Sequence, residues 1–271
     1  MLSGEKAANF ALQAEKHMKK KVETLIVTGA SRGIGEATAK HFCKKGFRVV
    51  GIARTADALD QLQSELGDLF IPKVADLSDL DQAEATIVSL LNDRKLNISG
   101  VVLNAGISSS KAFLDSSRAM QTLEMNLNYH SPSIFLRHAL KRFNRLPRGR
   151  IITVSSLTAL VPFPNNASYA ASKAAFYHLL RSIRLEEGFK NVEISAVLPG
   201  LTDTKMTESF DSVLPRAAPE DVAAAVFQCW KKPAFPLVVG RLNQVTESFN
   251  RLQPWLFDRV AASVVRWLPH E

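Results

Sequence analysis

Cysteine, glycine and proline are all scarce in this chain of 271 residues, which has 2, 13 and 12 of them respectively. The two cysteines, Cys43 and Cys229, cannot build a disulfide framework, so we expect a reducing compartment, the cytoplasm. So little glycine and proline excludes a collagen-like or disordered chain. There is no apolar run of about 18 residues and no signal-peptide core, so we expect a soluble protein without a membrane span.

What the chain does contain is typical of a globular protein: 46% apolar and 22% charged residues, with a formal net charge of +8. The lysines and arginines are spread along the chain rather than gathered in one block. The positive electrostatic field of such a distributed charge favours anionic small molecules, and we expect no nucleic-acid partner. The six histidines and two cysteines show no zinc-ligand spacing, so we also expect no metal.

Apolar, β-branched runs alternate with stretches of helical periodicity from residue 22 onward. The runs that predict strands are Thr24–Thr28, Arg48–Ala53, Phe70–Val74, Val101–Leu103, Arg150–Ser155 and Glu193–Leu198. The stretches that predict helices are 34–45, 56–66, 79–93, 118–145, 169–187 and 219–231. This alternation indicates an α/β fold: a single doubly wound domain of the Rossmann type, with a parallel sheet covered by helices on both faces.

No composition break divides the chain, so we expect one domain over residues 21–240. The polar, lysine-rich residues 1–20 are interpreted as a disordered extension or an alternative start. Residues 241–271 are interpreted as a C-terminal extension that packs on the domain or on a sister subunit.

A glycine-rich turn joins the first predicted strand to the first helix, as Thr28-Gly-Ala-Ser-Arg-Gly-Ile-Gly35. Glycines at such a turn allow backbone N–H groups to approach a pyrophosphate, and the helix N-terminus favours its charge. Because the turn lies between a strand and a helix in the first βαβ unit, it predicts a dinucleotide site.

The spacing Gly-x-x-x-Gly-x-Gly resembles that of the classical short-chain dehydrogenase/reductase family. The other motifs of that family follow in order, as Asn104-Ala105-Gly106, Tyr169-x-x-x-Lys173 and Pro199-Gly200 with Thr204 and Met206. The resemblance covers about residues 22–240 and implies a nicotinamide-dependent oxidoreductase. It also leaves two alternatives open: epimerase or dehydratase chemistry at the same site, and a nucleotide-binding regulator without turnover.

Reduction of a carbonyl builds negative charge on its oxygen, so the site needs a proton donor aimed there. Tyr169 and Lys173 lie four residues apart on one face of a predicted helix. An ammonium beside a phenol favours the phenolate, so we expect the pKa of Tyr169 to be lowered toward working pH. Tyr169 is then the general acid in reduction and the base in oxidation. The resemblance implies that Lys173 also binds the nicotinamide ribose.

Two neighbouring residues compete for each of the remaining catalytic roles. Ser155 and Ser156 end a strand, and the family spacing of thirteen residues before the tyrosine selects Ser156 as the donor to the carbonyl oxygen. Asn126 lies in a locally family-like stretch, but counting to the next strand favours Asn128. The resemblance implies that this asparagine holds the water that links Lys173 to solvent.

The second predicted strand ends at Ala53, where an NAD-binding protein has an acidic residue for the ribose hydroxyls. Arg54 and Arg32 offer guanidinium groups to a 2′-phosphate instead, so we expect NADP(H). The full set of predicted cofactor-binding residues is Gly29, Ser31, Arg32, Gly33, Ile34, Gly35, Arg54, Asp76, Leu77, Asn104, Ala105, Gly106, Tyr169, Lys173, Pro199, Gly200, Thr202 and Thr204. Thr202 departs from the family pattern of Val or Ile, which puts its packing in question.

The segment 201–218 is expected to close over a small carbonyl or alcohol substrate. Its apolar residues suggest a hydrophobic substrate, and a plain packing helix is the alternative; they are Leu201, Met206, Phe210, Val213 and Leu214.

Two further apolar sets suggest contacts with protein. Helices 128–145 and 169–187 carry more apolar residues than one sheet face needs, and in related proteins they form a dimer interface, so we expect a homodimer or homotetramer. These residues are Ile134, Phe135, Phe143, Phe176, Tyr177, Leu180 and Ile183.

In the tail, a helix over 255–268 would align Leu256, Val260, Val264 and Leu268 on one stripe. We expect this stripe to pack on protein, with a membrane surface as the alternative.

Overall fold

A single parallel sheet of seven strands organises residues 22–208 and 215–267, the part of the chain that our computed structural model describes. Its order is β3-β2-β1-β4-β5-β6-β7. The strands are β1 (Thr24–Thr28), β2 (Arg48–Ala53), β3 (Phe70–Val74), β4 (Ile98–Leu103), β5 (Gly149–Val154), β6 (Val192–Leu198) and β7 (Leu237–Val238). The order reverses between β1 and β4, which opens a crevice at the carboxyl ends of these strands. The predicted extension at residues 1–20 lies outside the described part.

Helices connect the strands and cover both faces of the sheet. They are α1 (Gly33–Lys44), α2 (Ala56–Leu66), α3 (Leu80–Asn92), α4 (Arg118–Met125), α5 (Ser131–Phe143), α6 (Ala167–Ile183), α7 (Pro219–Lys231), α8 (Arg241–Leu252) and α9 (Pro254–Trp267). None of the described helices has the length and apolar character needed to span a membrane.

Alternating side chains along the buried strands build two cores, one on each face of the sheet. On β1, Leu25 and Val27 face the core formed with α1, α2 and α7, whereas Ile26 faces the core formed with α3, α5 and α6. Both faces of the central strands are therefore apolar, and the predicted α/β fold is confirmed.

Apart from shifts of one to four residues at the ends of elements, the structure differs from the predicted elements in three places. The short strand β7 was not predicted, because two residues carry no readable periodicity. The predicted helix 118–145 is divided: α4 and α5 are joined by a π-helical turn at Asn126–His130. The predicted tail helix is preceded by a separate helix, α8, and Gln253 separates α8 from α9.

Most of the apolar residues on the two central helices, from which a subunit interface was expected, lie in the core instead. Five of the seven residues on the two central helices are buried within the chain's own cores: Phe135, Phe143, Phe176, Tyr177 and Leu180. The surplus from which an interface was predicted is therefore core packing, and that part of the argument was wrong.

In the tail, Phe257 packs on the domain, next to Phe249 at 5.8 Å between ring centroids. Leu256 and Val260, which were predicted to pack, are 41% and 47% exposed. The face of α9 that meets the domain is the one that carries Phe257, and packing of the predicted stripe on a sister subunit stays a prediction. The side chains of Val264 and Leu268 lie outside the described residues.

Candidate active site

The glycine turn after β1 has the backbone geometry that only glycine adopts easily. Gly29 and Gly33 have φ values of +69° and +56°, in the left-handed region. A Cβ on Gly35 would lie 2.0 Å from the carbonyl oxygen of Gly29, so the first turn of α1 packs directly against the turn. Gly33 and Ile34, at the N-terminus of α1, line the crevice beside Thr204.

The motif after β4 ties this turn to the neighbouring strand. The Thr28 hydroxyl accepts hydrogen bonds from the N–H groups of Asn104 and Ala105, at 2.9 and 3.0 Å. The Asn104 side chain donates to the carbonyl oxygens of Thr28 and Gly29, at 3.0 and 3.3 Å. The residues that the family motif singles out at this position therefore hold the two strand ends together at the topological reversal.

A cavity of about 490 Å³ runs along these strand ends. Every predicted cofactor-binding residue except Gly35 lines it, and Gly35 supports the turn from behind. Among the lining residues outside the predicted catalytic and cofactor-binding sets, four are polar: Thr55, Ser155, Lys205 and Thr207. Lys205 had a readable signal, since it is a cation between Thr204 and Met206 of a quoted motif.

Cationic groups stand at the end of the cavity beyond β2, where Arg32 and Arg54 both line it. Arg54 lies 4.0 Å from the Asp76 carboxylate. Burial raises the pKa of Asp76, but hydrogen bonds from Ser78 and the charge of Arg54 outweigh this, and the pKa is lowered overall. The negative charge of Asp76 is thus already partnered within the chain.

The asparagine that faces α6, the helix with Tyr169 and Lys173, is Asn128, which is 2% exposed. Its Oδ1 accepts from the Ile107 N–H, and its Nδ2 donates to the Ile107 carbonyl oxygen and to the Ser172 hydroxyl, all at 2.9 Å. A Cβ on Gly106 would lie 3.0 Å from Asn128 Oδ1 and 3.1 Å from Lys173 Nζ, so these two side chains meet beside Gly106. Both N–H donors of Asn128 are engaged, which leaves neither for the relay water that the resemblance implies.

The two adjacent serines at the end of β5 have different surroundings. Ser156 accepts hydrogen bonds from the N–H and the hydroxyl of Thr158, at 3.2 and 2.9 Å, and is hydrogen-bonded to Tyr169. Ser155 Oγ is buried without a hydrogen-bond partner among the described residues, yet the residue lines the cofactor-sized cavity. An orphaned hydroxyl and an open glycine turn fit a polar ligand in this cavity.

Tyr169 lies in the first turn of α6, and its phenol environment differs from the expectation. Its pKa is raised to about 12, chiefly by burial and in smaller part by the charge of Glu124, while the hydrogen bond from Ser156 acts in the opposite direction. The Lys173 ammonium lies 5.7 Å from the centroid of the phenol ring. The predicted lowering of the Tyr169 pKa is therefore wrong for the protein alone, because desolvation dominates.

Lys173 follows one turn later and is 7% exposed. Burial lowers its pKa to about 8. An ammonium group with this pKa exchanges its proton near neutral pH, so Lys173 can both carry a positive charge and release a proton at Nζ.

A second cavity, also of about 490 Å³, meets the first at Tyr169, Ser156 and Gly200. Its described walls are mainly apolar and come from Ser108 and the segments 156–169, 200–207, 215–217 and 239–246. Leu201 and Met206 of the predicted closing segment line it, whereas Phe210, Val213 and Leu214 lie outside the described residues. Arg216 and Arg241 are its cationic members.

Thr202 packs well despite its departure from the family pattern. It is 4% exposed, and its hydroxyl donates to the Gly200 carbonyl oxygen at 3.2 Å. The β-bridge to Ala217 continues this packing. Within residues 22–208 and 215–267, no group of three or more His, Cys, Asp or Glu side chains is placed to hold a metal ion.

Comparison with known proteins identifies the family. Residues 23–214 match the model of the short chain dehydrogenase family. A short-chain type dehydrogenase/reductase of Sinorhizobium fredii is 31% identical over 191 residues, which are 70% of this chain and 74% of that protein. The 3-oxoacyl-[acyl-carrier-protein] reductase FabG of Buchnera aphidicola is 28% identical over 191 residues, or 70% and 78% of the two chains.

Solved structures agree with this result. The alcohol dehydrogenase of the archaeon Thermococcus sibiricus, complexed with 5-hydroxy-NADP, superposes with a TM-score of 0.72 at 25% identity. The match covers 80% of this chain and 96% of that one. With its sheet order, glycine turn and Tyr-x-x-x-Lys helix, the chain belongs to the short-chain dehydrogenase family of oxidoreductases.

Proposed function

We propose that this protein is an NADP(H)-dependent oxidoreductase that interconverts a carbonyl and a secondary alcohol on a hydrophobic substrate. The observation that carries the proposal is the position of Tyr169, where a cavity lined by the glycine turn meets an apolar cavity. A proton donor at such a junction serves a substrate in one cavity and a redox cofactor in the other.

The four proposed catalytic residues have distinct tasks. When bound, NADPH supplies the hydride. Tyr169 donates its Oη proton to the carbonyl oxygen, and Ser156 donates a hydrogen bond to the same oxygen. Lys173, with its pKa of about 8, holds the ribose hydroxyls and supplies positive charge beside the phenol. Asn128 holds α6 against the loop after β4 through Ser172 and Ile107.

The proposed preference for NADP(H) rests on the charges beyond β2. Ala53 offers no carboxylate to the ribose, and Arg32 and Arg54 line that end of the cavity. The glycine turn, Asn104–Gly106 and Pro199–Thr204 complete the proposed cofactor site. The NADP derivative bound to the Thermococcus sibiricus relative agrees with this preference.

We also propose a cytoplasmic homodimer or homotetramer. The two described cysteines are free and buried, which fits a reducing compartment. Ile134 on α5 with Leu179 and Ile183 on α6 pack only partly against the core, which leaves apolar surface on the two helices for a subunit contact. Light scattering at micromolar concentration tests the assembly, and a monomer contradicts it.

A titration of NADPH fluorescence, followed by an absorbance assay over a panel of ketones, tests the proposed activity. We expect NADPH binding and turnover that is faster for apolar ketones than for polar ones of equal size. Binding without turnover across the panel contradicts the proposal and supports a regulatory nucleotide-binding protein. Turnover with NADH in preference to NADPH contradicts the cofactor assignment alone.

A further inference from the structure

Glu124 is a fully buried carboxylate next to the catalytic helix, at 0% exposure. Its Oε1 accepts a hydrogen bond from the Ser109 N–H at 2.6 Å, and its Oε2 accepts one from the Ser168 hydroxyl. No described Lys, Arg or His forms an ion pair with it. Buried carboxylates without a countercharge are rare because desolvation destabilises them, so this one calls for an explanation.

The two hydrogen bonds place Glu124 among three segments that surround the proposed proton donor. Ser109 belongs to the loop after β4, in which Gly106 lines the cofactor cavity and Ser108 the substrate cavity. Ser168 directly precedes Tyr169 in the first turn of α6. One carboxylate on α4 thus joins the loop between the cavities to the start of the catalytic helix.

We propose that Glu124 is a positioning residue that fixes the first turn of α6 and, through its negative charge, keeps the Tyr169 hydroxyl in its protonated, donating form. The proposal rests on the proposed oxidoreductase function. The charge of Glu124 adds to the effect of burial in raising the pKa of Tyr169. Since oxidation of an alcohol needs the phenolate, this carboxylate confines oxidation to more alkaline pH, whereas reduction proceeds with the phenol.

Other charged groups around Tyr169 do not duplicate this role. The Lys, Arg, Asp and Glu side chains of the described residues on its own helix, on α4 and around the two cavities that meet at Tyr169 are Lys173, Arg181, Arg118, Glu124, Arg32, Arg54, Asp76, Lys205, Arg216 and Arg241. Glu124 is the acidic member of this set that acts on the phenol, and Asp76 lies at the far, ribose end of the cofactor cavity beside Arg54.

The experiment is the pH dependence of kcat for alcohol oxidation in Glu124→Gln. The amide oxygen can still accept from the Ser109 N–H, and the amide nitrogen can donate to Ser168 Oγ, so the substitution removes the charge and keeps both contacts. We expect the midpoint of the alkaline rise to move down by about one pH unit, the scale of one nearby charge. Glu124→Met, which removes the charge at similar volume, gives the same shift and serves if the amide variant does not fold.

Two variants separate charge from structure. Glu124→Asp keeps the charge and Ser168→Ala removes one hydrogen bond, so we expect the midpoint to stay within about 0.3 unit of the parent in both, whatever happens to their thermal stability. An unshifted midpoint in the Gln and Met variants overturns the proposal, as does an equal shift in the Asp variant. Failure of the proposed function looks different: the parent then shows no turnover, or Tyr169→Phe leaves its turnover intact.

Discussion

The proposed cofactor cavity, which the glycine turn lines, and the proposed substrate cavity, which Leu201 lines, have the same volume but depend on the sequence in different ways. The first is lined by short motifs at strand ends, where local backbone geometry dictates the residue: Gly29 and Gly33 have positive φ, and Gly35 has no room for a Cβ. The second is enclosed by segments far apart in the sequence, which meet only through packing. Motifs therefore predict the cofactor side well, while the substrate side depends on the whole fold.

The largest expected effect is at the junction of the two cavities. Tyr169→Phe removes the proton donor at nearly constant volume, so kcat should fall by at least about 10²-fold. NADPH affinity should change little, because the ring stays in place. Tyr177→Phe on the same helix is the matched control and should retain activity. Steady-state kinetics and a fluorescence titration measure both, and activity of Tyr169→Phe within a few-fold of the parent would refute the assignment.

A second expected effect concerns the stability of the cofactor side. Burial lowers the pKa of Lys173 from 10.5 to about 8, so below pH 8 the folded protein bears the cost of a buried ammonium. Lys173→Met should therefore raise the free energy of unfolding at pH 7 by about 3 kcal/mol, and this gain should shrink as the pH rises from 8 to 10.5.

Chemical denaturation at pH 7 and pH 10 measures this difference, and the exposed Lys190→Met is the control. Turnover should be lost in the stabilised Lys173 variant, since function here opposes stability. Equal stability of parent and Lys173→Met at both pH values would show that the ammonium is not buried as described.

A smaller effect is expected at the far end of the cofactor cavity. Arg54→Asp replaces a phosphate donor by a repelling carboxylate, so kcat/KM for NADPH should fall by about tenfold to hundredfold, the scale of one charge-assisted hydrogen bond. The value of kcat/KM for NADH should fall less than that for NADPH, or should rise. Rates with both cofactors measure the ratio, and a parallel loss for both would argue against a 2′-phosphate at Arg54.

The smallest expected effect lies on the substrate side. Leu201→Ser makes one wall of the apolar cavity polar, so kcat/KM for apolar ketones should fall by about threefold to tenfold. The affinity for NADPH should stay the same. Leu185→Ser, at an 85% exposed position outside both cavities, is the control. An unchanged preference for apolar ketones would mean that the substrate does not contact this wall.

The same contrast explains how far the sequence predicted the structure. Six strands and the sheet class were predicted, because buried parallel strands are continuous apolar runs. Ser156 and Asn128 were selected by counting, and both lie beside the catalytic helix. Counting residues between motifs does not predict the π-helical turn at Asn126–His130, in which Asn128 is buried.

The sequence did not predict the pKa shifts or the contacts between residues that lie far apart along the chain. A tyrosine beside a lysine suggests a lowered pKa, but the raised value for Tyr169 comes from desolvation by residues remote along the chain. Glu124 lies in the family-like stretch around Asn126, but its burial against Ser109 and Ser168 follows only from the fold. Periodicity predicted an apolar stripe on α9, but it does not say which face of a helix meets its own domain.

We propose that a cofactor in one cavity transfers a hydride to a carbonyl carbon in the other, and that the hydroxyl of Tyr169 donates a proton to the carbonyl oxygen. A crystal structure of the protein with NADP(H) and an apolar ketone tests it most directly. We predict the carbonyl oxygen within hydrogen-bond reach, about 2.6–3.2 Å, of both Tyr169 Oη and Ser156 Oγ, with the ketone body against Leu201. A ketone bound away from Tyr169, or a cofactor bound outside the glycine-turn cavity, would contradict the account.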